Sequence, residues 1–562
     1  MYADENVIKI KHDVLYEVAK LAFADELEEK RDGIAQSLIP GPTPQFRCCI
    51  YKEREIIRQR VRLAEGKAPG MHDDGNIVQV ISSACEDCPI SSYVVTDNCQ
   101  NCIGKACINA CNFGAIEMGR HRSHIDASKC KECGKCAQAC PYHAIAALKR
   151  PCKFSCPVDA ISYDENGISV INEEKCIRCG LCIHRCPFGA IGSKTFIVDV
   201  IKAIKSEHPV YALVAPATEG QFGEHITMNS WKKAMKAVGF TDLVEVGLGG
   251  DMTAAYEAEE WAEAYKNGKK MTTSCCPAFV NMVKKHYPEL IENVSTTISP
   301  MCAVSRMLKA KEPDAVTVFI GPCISKKSEV KDHAIEGNAD YALTYSEIRA
   351  IMHARNVELE EDDNSYQESS IYGKRFANSG GVTEAVLQSL KESDDEIAAT
   401  VNKCNGAAEC KKALLLMKVG KLPEDFVEGM ALLVVGQVQL VDDVDDLPQQ
   451  HAVLHVLVGV REHRLHDGLF DGRLRRHPDA LNERFPAGVL DVLALEYGKE
   501  RVVDEAKQLV AGHGAAGLVV VRPVGPAAHL REDGHIALVV KRPVLLLRVV
   551  DLQKQHPRDL LD

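Results

Sequence analysis

The chain has 562 residues, a formal net charge of −12 and 26% charged residues, which at roughly 100–200 residues per domain makes three or four domains. Its apolar content of 46% with mixed charge excludes a wholly disordered chain, and the acidic balance excludes a general nucleic-acid binder. No membrane partner is expected, because the most apolar stretch, 536–550, is cut by Lys541 and Arg542, whereas a span needs ~20 apolar residues. The opening residues lack the basic and apolar regions of a secretory signal, which points to a cytoplasmic protein.

In chain order, 1–78 reads as a polar N-terminal helical segment and 79–195 as a cysteine-rich block. From 196 to 430 apolar strands alternate with amphipathic helices, the pattern of a parallel α/β sheet. Strands are predicted at 210–218, 242–248, 270–274 and 316–320, and helices at 254–267, 279–286 and 304–311. Residues 431–562 are unlike the rest.

All 24 cysteines lie between Cys48 and Cys410, sixteen of them in 79–195. Tight Cys-x-x-Cys runs in a long chain without a signal favour thiolate metal sites over disulfides. Four cysteines, Cys111, Cys140, Cys156 and Cys186, start a repeated hexapeptide ending in Ala-Ile. Upstream of Cys140 lies Cys130-x2-Cys133-x2-Cys136, and upstream of Cys186 lies Cys176-x2-Cys179-x2-Cys182. This is the bacterial ferredoxin spacing, in which three thiolates converge on one [4Fe–4S] cube and the fourth ligates the other. A zinc ribbon needs only two cysteine pairs.

The first halves are less regular. Cys99-x2-Cys102-x4-Cys107-x3-Cys111 is a half-motif with a two-residue insertion, and Cys85-x2-Cys88 finds its missing end in Cys152-x3-Cys156. One two-cluster unit is thus expected to be nested inside another. Crossing the fourth ligands gives four cubanes: Cys99, Cys102, Cys107 with Cys140; Cys130, Cys133, Cys136 with Cys111; Cys85, Cys88, Cys152 with Cys186; and Cys176, Cys179, Cys182 with Cys156. Cys48 and Cys49 are left over and read as small buried hydrophobes or as an alternative ligand.

Two further cysteine sites follow predicted strands, where α/β proteins place their chemistry: Thr273-Ser274-Cys275-Cys276-Pro277, and Gly321-Pro322-Cys323-Ile324-Ser325-Lys326-Lys327-Ser328-Glu329. These segments resemble the [FeFe] (iron-only) hydrogenases, whose motifs are Thr-Ser-Cys-Cys-Pro, Pro-Cys-x-x-Lys-x-x-Glu and Glu-x-Met-x-Cys-x-x-x-Cys. Glu428-Gly429-Met430 opens the third. The resemblance covers roughly 79–430 and implies nested ferredoxin-like units followed by a catalytic domain with parallel sheets flanked by helices. It implies a six-iron catalytic cluster with CO, cyanide and dithiolate ligands, and reversible conversion of 2H⁺ and 2e⁻ to H₂ in an anaerobe. It also implies ferredoxin or a similar carrier as electron partner, and maturation proteins for the cluster.

By motif position the resemblance makes Cys276 and Cys323 cluster ligands and Cys275 the proton-passing thiol. Lys326 would hold a cyanide, with Glu329 completing its motif. Glu257, Glu260 and Ser299 would form a proton relay, the two glutamates sharing a helix face at i, i+3; Glu259 points elsewhere. Gly321 stands where the family often has Met, which should loosen packing, and Phe279 where Trp is commoner. Alternative readings are a non-catalytic hydrogenase-like sensor or assembly factor, and an iron–sulfur electron-transfer protein. Val246-Gly-Leu-Gly-Gly lacks dinucleotide-binding spacing.

The third motif breaks off. Positions 432 and 436, where cysteines belong, are Leu432 and Gly436, and 431–562 contains no Ser, Thr, Cys, Met or Trp. Losing both hydroxyl residues across 132 residues is foreign to a globular domain, and the break falls inside a motif rather than at a linker. The composition points to a frameshift, a misassembly or translation of the wrong strand. The chain as written should lack a complete active site, and its histidines from His451 to His466 should not be a metal site.

Overall fold

The computed structural model describes residues 5–431, apart from 72, 86–87, 89–92, 224, 363–367 and 395–396. Beyond 431 it describes only strand backbone at 434–435, 438–439, 518–524, 536–538 and 544–550. The chain divides into units 1–445 and 446–562. In the second, Leu518–Val524, Val544–Val550 and Ile536–Leu538 form an antiparallel sheet. Leu432, Gly436 and the run from His451 to His466 lie outside the described residues.

The N-terminal segment is helical at Glu5–Phe23 and Ile50–Ala64. Cys48 is exposed and Cys49 half-buried, so the reading of both as buried thiols is corrected. The cause is Glu53, fully buried, whose carboxylate accepts the backbone N–H groups of Gln45, Phe46 and Arg47. That ties 45–47 across the helix start and leaves Cys48 on the outside.

In the cysteine block the repeat is written in the backbone. The third residue after each hexapeptide cysteine, Gly114, His143, Asp159 and Gly189, has a positive φ of 49–59°. Asn101, Glu132 and Arg178, two residues after Cys99, Cys130 and Cys176, are left-handed too. So are Lys105, Gly134 and Gly180, each two residues before the third cysteine of its run. Left-handed backbone is costly for most side chains, so its recurrence at matched positions marks one turn used three or four times. The nesting shows in the pairing: Val78–Val80 pairs with Ile191–Ser193, enclosing the unit in which Tyr93–Val95 pairs with Ile145–Ala147.

The region from 196 holds two parallel sheets flanked by helices, set by β-branched runs such as Val316–Ile320. One has the strand order Asp242–Glu245, Val210–Val214, Val316–Ile320, Tyr341–Leu343. The other runs Met271–Thr272, Phe426–Met430, Val401–Asn405. Three predicted strands are shorter than expected. The clearest case is 242–248, which turns helical at Val246 and continues to Lys266. Its glycines serve close packing: a Cβ on Gly249 would lie 2.1 Å from the carbonyl oxygen of Pro300. The expected looseness at Gly321 is also corrected, because the Phe319 ring would lie 2.7 Å from a Cβ there.

Candidate iron–sulfur and thiol centre

The cysteine block brings thiols together across long sequence gaps. The Cys88 thiol is pushed up by burial, and its nearest charged neighbours include Arg150, Cys186, Cys152 and Cys85. Cys182 is pushed well up by burial, with Cys179, Cys176, Cys156 and Cys152 around it. Cys111 shares a pocket with Cys130, Cys133 and Cys136. Cys99 and Cys140 pack against one apolar cluster, and Thr96 donates its N–H to Ala144 O at 2.8 Å nearby.

These residues fit iron–sulfur cubes. Backbone N–H groups of Ala144, Ala160 and Ala190 donate to the sulfurs of Cys140, Cys156 and Cys186 at 3.3–3.4 Å, the kind of hydrogen bond that surrounds cube sulfurs. Cys107 faces Ser123 Oγ at 3.9 Å, and Cys152 faces Ser169 Oγ at 3.6 Å. The matching contacts place Cys152 where Cys107 stands in the inner unit of the repeat. Among the described residues no three such side chains converge as a single ion would require. A tetrahedral zinc needs that convergence, whereas cube ligands stand on separate irons.

The set Cys156, Cys176, Cys179, Cys182 sits against the α/β domain. Lys285 Nζ donates to Cys176 O at 2.9 Å, and Ser325 Oγ donates to Arg178 O at 2.7 Å. Fully buried Lys327 donates to Ser193 Oγ and Lys194 O, both at 3.0 Å, and pairs with Glu347.

Cys275 and Cys276 follow Met271–Thr272, and Cys323 follows Val316–Ile320, at the carboxyl ends of their strands. Cys276 caps the helix Pro277–His286, whose N1 proline keeps it out of the helical region at φ −96°, ψ 107°. The positive end of that helix is aimed at the cysteine. Burial and the neighbouring Cys276 push Cys323 up to about 12, against Lys326. The Cys275 thiol is driven well above its ordinary value by burial, then by Glu257.

Burial alone would depress Lys326, but Glu329 and Cys302 outweigh it and hold the ammonium above its ordinary value. Lys326 Nζ lies 2.6 Å from Glu329 and donates to Ser299 Oγ at 2.9 Å. Ser299 caps the helix Pro300–Lys311 and donates to Cys302 Sγ at 3.5 Å. Ser299 is therefore bonded to Lys326 and Cys302, and not to the two glutamates.

Glu257 is completely buried and neither of its oxygens has a hydrogen-bond partner among the described residues. Burial, then the charges of Glu260 and Glu428, push it up to about 8. Glu260 is half-buried and accepts from Ser295 Oγ at 2.6 Å and from the Thr296 N–H. Glu259 is exposed.

Three buried cysteines escaped the motif reading. Cys302 touches Glu329 and Asn338, and its spacing of three from Ser299 was the available signal. Cys404 and Cys410 lie beside Cys276 in one apolar cluster, with no motif to announce them. Glu428 accepts from Gly380 N–H at 2.7 Å and Thr383 N–H at 3.0 Å, anchoring the start of the helix Gly381–Glu392.

Thiols gathered in repeated ferredoxin-like turns, packed against a parallel α/β domain with thiols at its strand ends, are the arrangement of an iron–sulfur protein. Residues 208–431 match the iron only hydrogenase large subunit, C-terminal domain, and 123–146 and 169–192 match the 4Fe-4S binding domain. Over 208–431 the chain is similar to the iron-only hydrogenases, with 4Fe-4S binding motifs ahead of that region. It is 30% identical over 303 residues to iron hydrogenase 1 of Clostridium pasteurianum, covering 48% of this chain and 51% of that one. It is 28% identical to the periplasmic [Fe] hydrogenase large subunit of Nitratidesulfovibrio vulgaris, covering 55% and 84%. A cytosolic Fe-S cluster assembly factor of Kluyveromyces lactis is 26% identical over 143 residues, 23% of this chain and 30% of that one. The chain thus spans about half the length of the clostridial relative. No helix among the described residues is long and apolar enough to cross a membrane.

Proposed function

We propose that this protein is built to interconvert protons, electrons and H₂, with four [4Fe–4S] cubes carrying electrons to a catalytic cluster. The cubes would be held by the four crossed cysteine sets given above, and would be loaded in an anaerobic cytoplasm. Cys276 and Cys323 would supply two thiolates of the catalytic cluster, which in the hydrogenase reading supplies the metal centre for proton reduction. The fit there is incomplete, since Leu432 and Gly436 offer no thiolate. In sequence they follow Phe426–Met430, which pairs with Met271–Thr272, the strand ahead of Cys276, and with Val401–Asn405, the strand that carries Cys404.

The observation that carries the reading is Glu257: a fully buried carboxyl within the electrostatic reach of both half-buried Glu260 and the Cys275 thiol. With a pKa near neutrality it can take a proton from the outer carboxylate and give one up inward. Cys275, held as a neutral thiol, is the inner end of that route. Buried Lys326, fixed by Glu329 and Ser299, offers an ammonium to an anionic ligand.

In a form with cysteines at 432 and 436, Cys275→Ala should keep the infrared bands of metal-bound CO and cyanide and lose turnover by about a hundredfold or more. Cys276→Ala should lose the bands. Bands lost in Cys275→Ala, or more than about a tenth of activity kept, would overturn the assignment. The missing cysteines and the assembly-factor relative favour one second reading, a chain that keeps the clusters and fold without turnover.

A further inference from the structure

We propose that Asn76 is a positioning residue for electron transfer: its side-chain amide donates an N–H to the Cys176 sulfur and raises the potential of the cube held by Cys156, Cys176, Cys179 and Cys182. The proposal rests on the reading above that these four cysteines hold a cube.

Asn76 lies outside every cysteine run, just ahead of the strand Val78–Val80, and is fully buried. The backbone tells its amide ends apart: the Val78 N–H donates to Oδ1 at 3.1 Å, which makes the other end Nδ2. Nδ2 faces Cys176 and has no other partner among the described residues. The residue is held in that pose from both sides. Its own N–H donates to Asp74 Oδ1 at 3.0 Å, and its carbonyl accepts from Gln79 Nε2 at 2.9 Å. Ile77 and Val78, the next two residues, belong to an apolar cluster against which Cys156 and Cys182 pack. Leaving a buried donor without an acceptor is costly, so this amide belongs to the sulfur it faces.

The repeat shows what the amide adds. Cys130, ten residues before Cys140, is the counterpart of Cys176, ten before Cys186. Cys130 Sγ accepts the Glu132 N–H at 3.4 Å, and Cys176 has the matching N–H of Arg178. The backbone donor is common to both cubes. Asn76 comes on top of it at the cube against the α/β domain, where Lys285 Nζ holds the Cys176 carbonyl. A cube gains one negative charge on reduction; burial opposes that charge, and an N–H aimed at a ligand sulfur stabilises it. Asn76 thereby offsets the burial of Cys176, and an electron comes to rest at the cube beside the α/β domain.

The test uses the full chain reconstituted anaerobically with iron and sulfide, its asparagines labelled with nitrogen-15 in the side-chain amide alone. The cubes are reduced stepwise and followed by electron paramagnetic resonance. Pulsed spectra of the native chain should show nitrogen-15 coupling on the signal of one cube, and Asn76→Leu should lose it. In that variant the wave that carried the coupling should move to lower potential. The ratio of reduced to oxidised cube at the native midpoint should fall about fivefold or more, with the other waves and the iron content unchanged. Asn76→Asp keeps Oδ1 for the Val78 N–H and lacks the donor, so it should move the same wave the same way, and it serves alone if Asn76→Leu loses iron. The coupling needs no variant to fold, and its absence from the native chain overturns the proposal. So does a coupled wave whose potential neither variant moves, or a shift of all waves together, which is the mark of a packing role. A native chain that gains no cubes overturns instead the iron–sulfur reading beneath the proposal.

Discussion

Glu257 owes its chemistry to its surroundings. A fully buried carboxyl beside Glu260 and Glu428 stays protonated to about pH 8, with the Trp261 indole pulling the other way. Because its folded pKa lies above the unfolded value, the folded chain holds the extra proton between about pH 4.5 and 8. Its contribution to stability is complete below the unfolded pKa and is lost as pH rises to 8, with a limiting slope of about 1.4 kcal/mol per pH unit. The infrared carbonyl stretch of a buried carboxylic acid should therefore be present below about pH 8, lost above it, and absent in Glu257→Gln. A band unaffected by that substitution would place the protonated carboxyl elsewhere. The glutamate pair was legible from its i, i+3 spacing, as were the adjacent cysteines from their motif. The tie of Ser299 to Lys326 and Cys302 was not, because it depends on how the helix Pro300–Lys311 meets the segment after Cys323.

Among elements, the ferredoxin-like turns were the most legible, since each cysteine run carries its own residue positions for left-handed backbone. The crossing of ligands between runs is a tertiary matter, and the sequence offered only spacing for it. Cys186 has Cys152 and Cys85 among its charged neighbours, although Cys182 is nearer in sequence. Cys186→Ser should accordingly alter the electron paramagnetic resonance signal of the cube of Cys85, Cys88 and Cys152, and leave that of Cys176, Cys179 and Cys182. The reverse outcome would undo the nesting. The helix Val246–Lys266 was misjudged at its start for a physical reason. Apolar Val246 and Leu248 continue the strand pattern, and only the close approach to Pro300 explains why glycines there sit in a helix.

At the scale of the whole molecule, the cluster block is fastened to the α/β domain by buried Lys327, which donates to Ser193 Oγ and Lys194 O and is itself held by an ion pair with Glu347. Removing one partner strands the other charge, so Glu347→Ala should cost about 3–5 kcal/mol in chemical denaturation, whereas replacing both by Met should cost far less. Equal losses would mean the pair is only a packing element. The ferredoxin-like motifs and the parallel α/β fold were readable because the cysteine spacing and the alternating pattern agree with each other. After Met430 the residue types change abruptly within a motif, leaving the third motif without its two cysteines. Infrared spectroscopy of the purified chain after exposure to hydrogenase maturation proteins tests this most directly. The chain as written should bind about sixteen irons yet show no bands of metal-bound CO or cyanide, and the same gene resequenced and carrying cysteines at 432 and 436 should show them. Bands from the chain with Leu432 and Gly436, or none from the chain with both cysteines, would contradict the account.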